Sequence, residues 1–179
     1  VLLDPAQSLD QALERAAHDC SLLVVRPGDE VSPADLAVRS PVSLLLLRDE
    51  FAPLEQILVA LRGFASDYEV LDHARPFLAG GKATATVLPL TRPETHPDAR
   101  PLDDGAARRH LRAFLRHSGH DDARIAIRLC SGDPVSQIAG EMARGRYSML
   151  VIAAEGEGQF VRRALSRLEQ DAAGGARRP

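Results

Sequence analysis

At 179 residues with a formal charge of −3, the chain has room for one domain and part of another and lacks the basic excess of a nucleic-acid binder, so no nucleic-acid partner is expected. Its hydrophobic fraction of 45% with only 4% aromatics and no Trp gives a core of Ala, Leu, Val and Ile, the material of layered α/β proteins. Two cysteines, Cys20 and Cys130, are too few for a disulfide framework, and no apolar run approaches the roughly 18 residues of a membrane span; a cytoplasmic protein without direct membrane insertion is the expectation.

In chain order, Val1–Leu3 reads as a strand remnant, and Ser8 precedes Leu9, Ala12, Leu13, Ala16 and Ala17, an apolar stripe at helical spacing. Aliphatic runs follow at Leu22–Val25, Val42–Leu47 and Ile57–Leu61. Ser66–Leu78 reads as a helix stopped by Gly80-Gly81. Thr84–Leu88 is the next aliphatic run, and Thr91–Pro101 is rich enough in proline to be an extended loop. Asp103–His117 carries Leu111, Phe114 and Leu115 on one side and arginines on the other. After the run Ile125–Leu129, Asp133-Pro134 opens a helix with Asp as N-cap and Pro at its first position. Met149–Ala153 and a helix over Gln159–Gln170 complete the order, and residues 171–179 form a Gly/Arg-rich tail read as flexible. Several aliphatic runs are apolar at consecutive positions, as strands covered on both faces require. A mostly parallel sheet of five to seven strands, flanked by helices on both faces and joined by right-handed crossovers, is the expected fold.

Two segments resemble each other. Asp4-Pro5 leads through a helix to the strand ending Leu22-Leu23-Val24-Val25, and Asp133-Pro134 leads through a helix to Met149-Leu150-Val151-Ile152. Read as an internal repeat, residues 1–48 are the C-terminal half of a first unit (helix, strand, strand) and residues 56–170 most of a second.

At this point a family resemblance enters. Ile57–Gly63 resembles the first strand and loop of universal stress proteins, and Ala83–Leu90 their second strand. Ser131-Gly132-Asp133-Pro134 and Met149–Ala153 are similar to their third-helix entry and fourth strand, and Glu155-Gly156-Glu157-Gly158 sits where the family carries a glycine-rich loop. Arg39–Arg48 looks like the family's closing strand, yet no such strand follows residue 170. The resemblance implies the fold of the adenine nucleotide α-hydrolase-like group, a homodimer, and a ligand at the strand C-termini. Val42–Leu47 is then expected to close the second unit's sheet, or a partner chain to do so, because an apolar edge left bare would template aggregation.

Nucleotide-binding members rest phosphates on a Gly-x-x-Gly, nine residues, Gly-Ser/Thr pattern, where backbone N–H groups and a helix N-terminus face the anion. On this sequence the first glycine falls on Ala153, the second on Gly156, and the last pair on Ser166-Arg167; an acid after the first strand falls on Arg62. Glu155 and Glu157 flank the loop, and at an effective dielectric of about 20 one carboxylate about 4 Å from a phosphate costs roughly 4 kcal/mol before screening. The candidate ligand-binding residues are therefore Arg62, Gly63, Leu90, Gly132, Ala153, Gly156, Gly158 and Ser166, with classical ATP binding expected to be lost and no resident cofactor.

Other constellations are weaker. His110, His117 and His120 with Asp121-Asp122 suggest a metal, but His120 follows a helix-ending glycine, and a solvated helix end is the better reading; no metal site is expected. Cys130 and Cys20 read as small core residues rather than redox thiols. Arg108, Arg109, Arg112 and Arg116 make a basic helix face read as solvated. No nucleophile elbow or Ser/His/Asp set is present, so no catalytic residue is assigned and no enzymatic activity is expected. The leading expectation is a regulatory or stress-response module acting by binding a small molecule or nucleotide. A cytosolic regulatory domain cut from a larger membrane transporter, suggested by the Val start and the half-unit, is the alternative, and a nucleotide-using enzyme of a related fold the third.

Overall fold

The computed structural model describes residues 11, 13–15, 18, 21–25, 32–47, 53–62, 67–79, 82–90, 104–117, 119, 124–153 and 158–175. They fall into two compact units, one comprising residues 1–51 with 156–179 and the other residues 52–155.

The second of these contains a four-stranded sheet. Its strands are β3 (Gln56–Leu61), β4 (Thr84–Pro89), β5 (Ile125–Ile127) and β6 (Met149–Ile152), in the spatial order β5-β4-β3-β6. All three ladders are parallel, with Ile57 opposite both Ala85 and Met149, and Ala85 opposite Ile125. Every residue of β3 from Ile57 to Leu61 is buried, which is why that segment reads as an unbroken apolar run: a central strand has no wet face. The register is pinned at the lower end by Ser148. Its hydroxyl accepts from the backbone N–H groups of Glu55 (3.1 Å) and Gln56 (3.4 Å), and its N–H donates to the Gln56 carbonyl (2.9 Å).

Helices cover both sides of this sheet. Ile57, Val59, Leu61, Ala85, Val87, Ile125 and Ile127 point to one face, where they meet α2 (Asp67–Ala79) through Val70, Leu71, Ala74 and Leu78, and α3 (Asp104–His117) through Leu111, Phe114 and Leu115. The rings of Tyr68 and Phe114 approach to 4.9 Å between the two helices. The alternate residues Leu58, Ala60 and Leu88 are equally sealed and belong to the opposite face. There α4 (Pro134–Arg144) buries Val135, Ile138 and Ala139. A polar bridge ties α4 to that face. The Tyr147 hydroxyl donates to Glu141 of α4 (2.8 Å) and is hydrogen-bonded to Thr86 of β4. As the spacing predicts, Asp133 caps α4, its carboxylate accepting from the Ser136 N–H at 2.9 Å, with Pro134 in the first turn.

The other unit is smaller. β1 (Leu22–Val25) pairs in parallel with β2 (Ser43–Leu46), and α1 (Pro33–Arg39) lies between them in the chain. Leu13, one of the helical residues before β1, and Leu23 form a small core with Val25, Val42 and Leu44. The final helix, α5 (Gln159–Gly175), belongs to this unit and packs on α1. Arg162 pairs with Asp35 at 2.9 Å. At the helix start, Gly158 has φ +67°, and a Cβ on it would lie 2.8 Å from a Val38 methyl.

Four expectations are corrected. The parallel α/β architecture flanked by helices is as expected, but among the described residues the strands form two sheets, of two and four strands, rather than one of five to seven. Val42–Leu47 does not close the second unit: its strand residues pair with β1, and among the described residues nothing pairs with the outer edge of β6. The first half-unit is not helix-strand-strand, because α1 intervenes; Ser32 caps it, accepting from the Ala34 N–H at 3.2 Å, with Pro33 at its start. The last helix groups with the first unit and continues to Gly175, so residues 171–175 are helical, supported by the Arg167–Asp171 pair at 3.1 Å.

Candidate functional site

The chain leaves β3, builds β4 and then β5 outward on one side, and crosses to place β6 on the other side of β3. Strand order therefore reverses between β3 and β6. In open α/β sheets such a reversal opens a crevice beyond the carboxyl ends of the two strands, because the connections leave in opposite directions.

Three of the sequence-derived site residues lie at that end of the sheet. Ala60 is opposite Ile152, so Arg62 and Ala153 follow strand ends that are level within a residue. Leu90 extends the β3–β4 ladder, its N–H donating to the Leu61 carbonyl at 2.7 Å, and it is buried. Arg62 and Ala153 are half-buried. Position 62 is an arginine, but a carboxylate does reach the end of β3: Asp67, at the first turn of α2 and only 5% exposed, accepts from the Arg62 N–H at 2.9 Å. Sequence spacing overlooked it because it lies five residues after Arg62, at the start of a helix, rather than directly after the strand. Its signal was an acid at the start of a helix, where the helix dipole favours it.

The remaining candidates do not join this set. Gly63 and Gly156 lie outside the described residues. Gly132 belongs to the turn between β5 and α4, and β5 is the edge strand, separated from β3 by β4. At φ +114° this turn favours glycine, and its carbonyl accepts from Gln137 Nε2 at 2.5 Å. Gly158 belongs to the other unit, where it abuts Val38 of that same unit. Ser166 is seven residues inside α5, where its backbone N–H serves the helix. The nucleotide pattern needs a helix to begin near that position; here the helix already begins at Gln159.

Other singled-out residues are placed as follows. Cys130 is half-buried beyond β5, whereas Cys20 lies outside the described residues. His110 and His117 are exposed on α3, and His120, Asp121 and Asp122 lie outside the described residues. Among the described residues no His, Cys, Asp and Glu group is arranged to hold a metal, and no helix is long and apolar enough to cross a membrane.

No family model matches the chain, and no curated protein matches it in sequence. Among solved structures it is similar to a universal stress protein crystallised in complex with cAMP, at 17% sequence identity and a TM-score of 0.47, with 65% of this chain and 90% of that one covered.

Proposed function

We propose that the chain is a universal-stress-protein-like binding module, acting by ligand binding rather than turnover, with its ligand at the crevice between the carboxyl ends of β3 and β6. The observation that carries this reading is the reversal of strand order at β3, with Arg62 and Ala153 at the two strand ends. Arg62 supplies a cation where a ligand phosphate or carboxylate would lie, and Asp67 anchors the backbone that presents it.

Classical ATP binding is weak or lost in this reading. Ala153 adds a Cβ at the position of the first glycine, and α5 begins seven residues before Ser166, so no helix N-terminus stands there to receive phosphate. Calorimetric titration with ATP, ADP, cAMP and cyclic dinucleotides, with and without Mg²⁺, tests it. The expected ATP Kd is weaker than about 100 μM; a low-micromolar value overturns the loss of ATP binding. Failure of Arg62→Ala to weaken any ligand that does bind overturns the assignment of the crevice.

Homodimerisation and a cytoplasmic setting complete the proposal. The outer edge of β6 has no strand partner among the described residues, and apolar strand edges are normally covered. Light scattering coupled to size exclusion is expected to return a dimer, and a monomer at tens of micromolar contradicts it.

A further inference from the structure

The arginine-bearing face of α3 is more ordered than a solvated helix surface. Arg108, Arg109, Arg112 and Arg116, with Ala113, line one recess of about 350 Å³. Arg108, Arg112 and Arg116 stand one helical turn apart, about 6 Å along the axis. Two of them are fixed by the neighbouring edge strand. In the parallel pairing of β5 with β4, the Arg124 carbonyl and the Arg128 N–H face β4. The alternation of the ladder then turns the carbonyls of Ile125 and Ile127 outward. Arg108 Nη1 donates to the Ile127 carbonyl at 2.6 Å, and Arg112 Nη2 to the Ile125 carbonyl at 2.9 Å. Each of these bonds uses one of the five N–H donors of a guanidinium. Among the side chains the structure describes, no carboxylate pairs with Arg108, Arg109 or Arg112. This cationic cluster stands on a chain whose overall charge is −3.

We propose that this face of α3 binds short oligophosphate chains. Guanidinium groups recognise phosphate oxygens through paired N–H donors, and heads already held by backbone carbonyls lose less freedom on binding. The recess is a shallow depression open to solvent rather than an enclosed pocket. Among the described residues its only apolar lining residue is Ala113, and none of them supplies a ring on which a base could stack. A bare phosphate chain fits these features better than a nucleoside or a nucleic-acid strand. The site is independent of the crevice at β3 and β6.

Calorimetry of the full chain with inorganic tripolyphosphate at low ionic strength tests the proposal. Arg109 is exposed and, among the described residues, makes no bond to β5, so Arg109→Glu should leave the circular dichroism spectrum intact and weaken tripolyphosphate at least tenfold. Arg109→Gln should weaken it less, and Arg62→Ala should leave it unchanged. Raising salt from about 20 to 200 mM should weaken it further. The proposal is overturned if tripolyphosphate does not bind at millimolar concentration, or if Arg109→Glu and Arg109→Gln both bind as the parent does. It is also overturned if Arg62→Ala abolishes binding, or if ATP or a single-stranded oligonucleotide binds this face more tightly than tripolyphosphate. Loss of nucleotide binding on Arg62→Ala with Arg109 dependence intact would separate the two sites.

Discussion

Replacing Gly158 by Ala perturbs the contact that joins α5 to α1. The cost has two parts. At φ +67° an L side chain crowds its own carbonyl, at about 1–2 kcal/mol. The new methyl would also stand 2.8 and 2.9 Å from the two γ-carbons of Val38, closer than carbon atoms tolerate, so α1 or α5 must shift. Shifts of this kind in packed sites cost about 1–3 kcal/mol. Together Gly158→Ala should lose about 2–5 kcal/mol. Val38→Ala deletes two methyl groups from a half-buried side chain, at about 1 kcal/mol, and opens the space that the new methyl needs. The double variant should therefore be more stable than the sum of the single losses, by about 1–2 kcal/mol. Urea denaturation of the four proteins measures this coupling directly. Additivity within about 0.5 kcal/mol would refute the reasoning, because it would mean that Gly158 does not abut Val38.

Asp133→Ala removes the acceptor for the Ser136 N–H and hydroxyl and should lower stability by about 1 kcal/mol in chemical denaturation, with Asp133→Ser recovering most of it. Arg128→Met should cost more than Glu141→Leu. The buried member of that pair is Glu141, whose side chain is 3% exposed against 51% for Arg128. Losing the cation leaves the carboxylate, among the described residues, Tyr147 and Arg144, which holds the cost at the low end of a broken buried pair, about 3 kcal/mol; equal costs would contradict this. Burial, and secondarily the Glu141 carboxylate, raise the Tyr147 pKa against the opposing effect of its Thr86 hydrogen bond. The folded chain thus favours the neutral phenol, a contribution intact below the unfolded value of about 10 and lost as pH climbs towards the folded one. Between about pH 8 and 11 the parent's stability should fall more steeply than that of Tyr147→Phe; parallel slopes would count against it.

The elements were readable from sequence where one physical cause dominated. Ile57–Leu61 is apolar at every position because β3 is buried on both faces, and Asp133-Pro134 announces α4 because cap and first-turn proline act locally. Ser32-Pro33 is the same signal, but α1 has only seven residues, too few for an apolar stripe to declare itself. Pairing was less accessible. Val42–Leu47 has the composition of any covered strand, and nothing local says that Ser43–Leu46 chooses β1 over β6. The candidate site divided along the same line. Arg62, Leu90 and Ala153 directly follow their strands, so the motif positions that fall on Arg62 and Ala153 coincide with strand ends. Gly158 and Ser166 were located by motif spacing, which cannot register that α5 begins at Gln159 and turns its face to α1. The arginines of α3 looked solvated because the carbonyls that fix two of them belong to β5, thirteen and nineteen residues away.

The crevice at β3 and β6 is best tested by amide chemical-shift mapping with millimolar adenine nucleotide, using the Arg109→Glu chain so that the arginine recess is disabled. Shifts should concentrate at Leu61, Arg62, Ile152 and Ala153. Shifts centred instead on Glu55, Gln56 and Ser148, at the amino ends of the same strands, or on no strand end at all, would contradict the account.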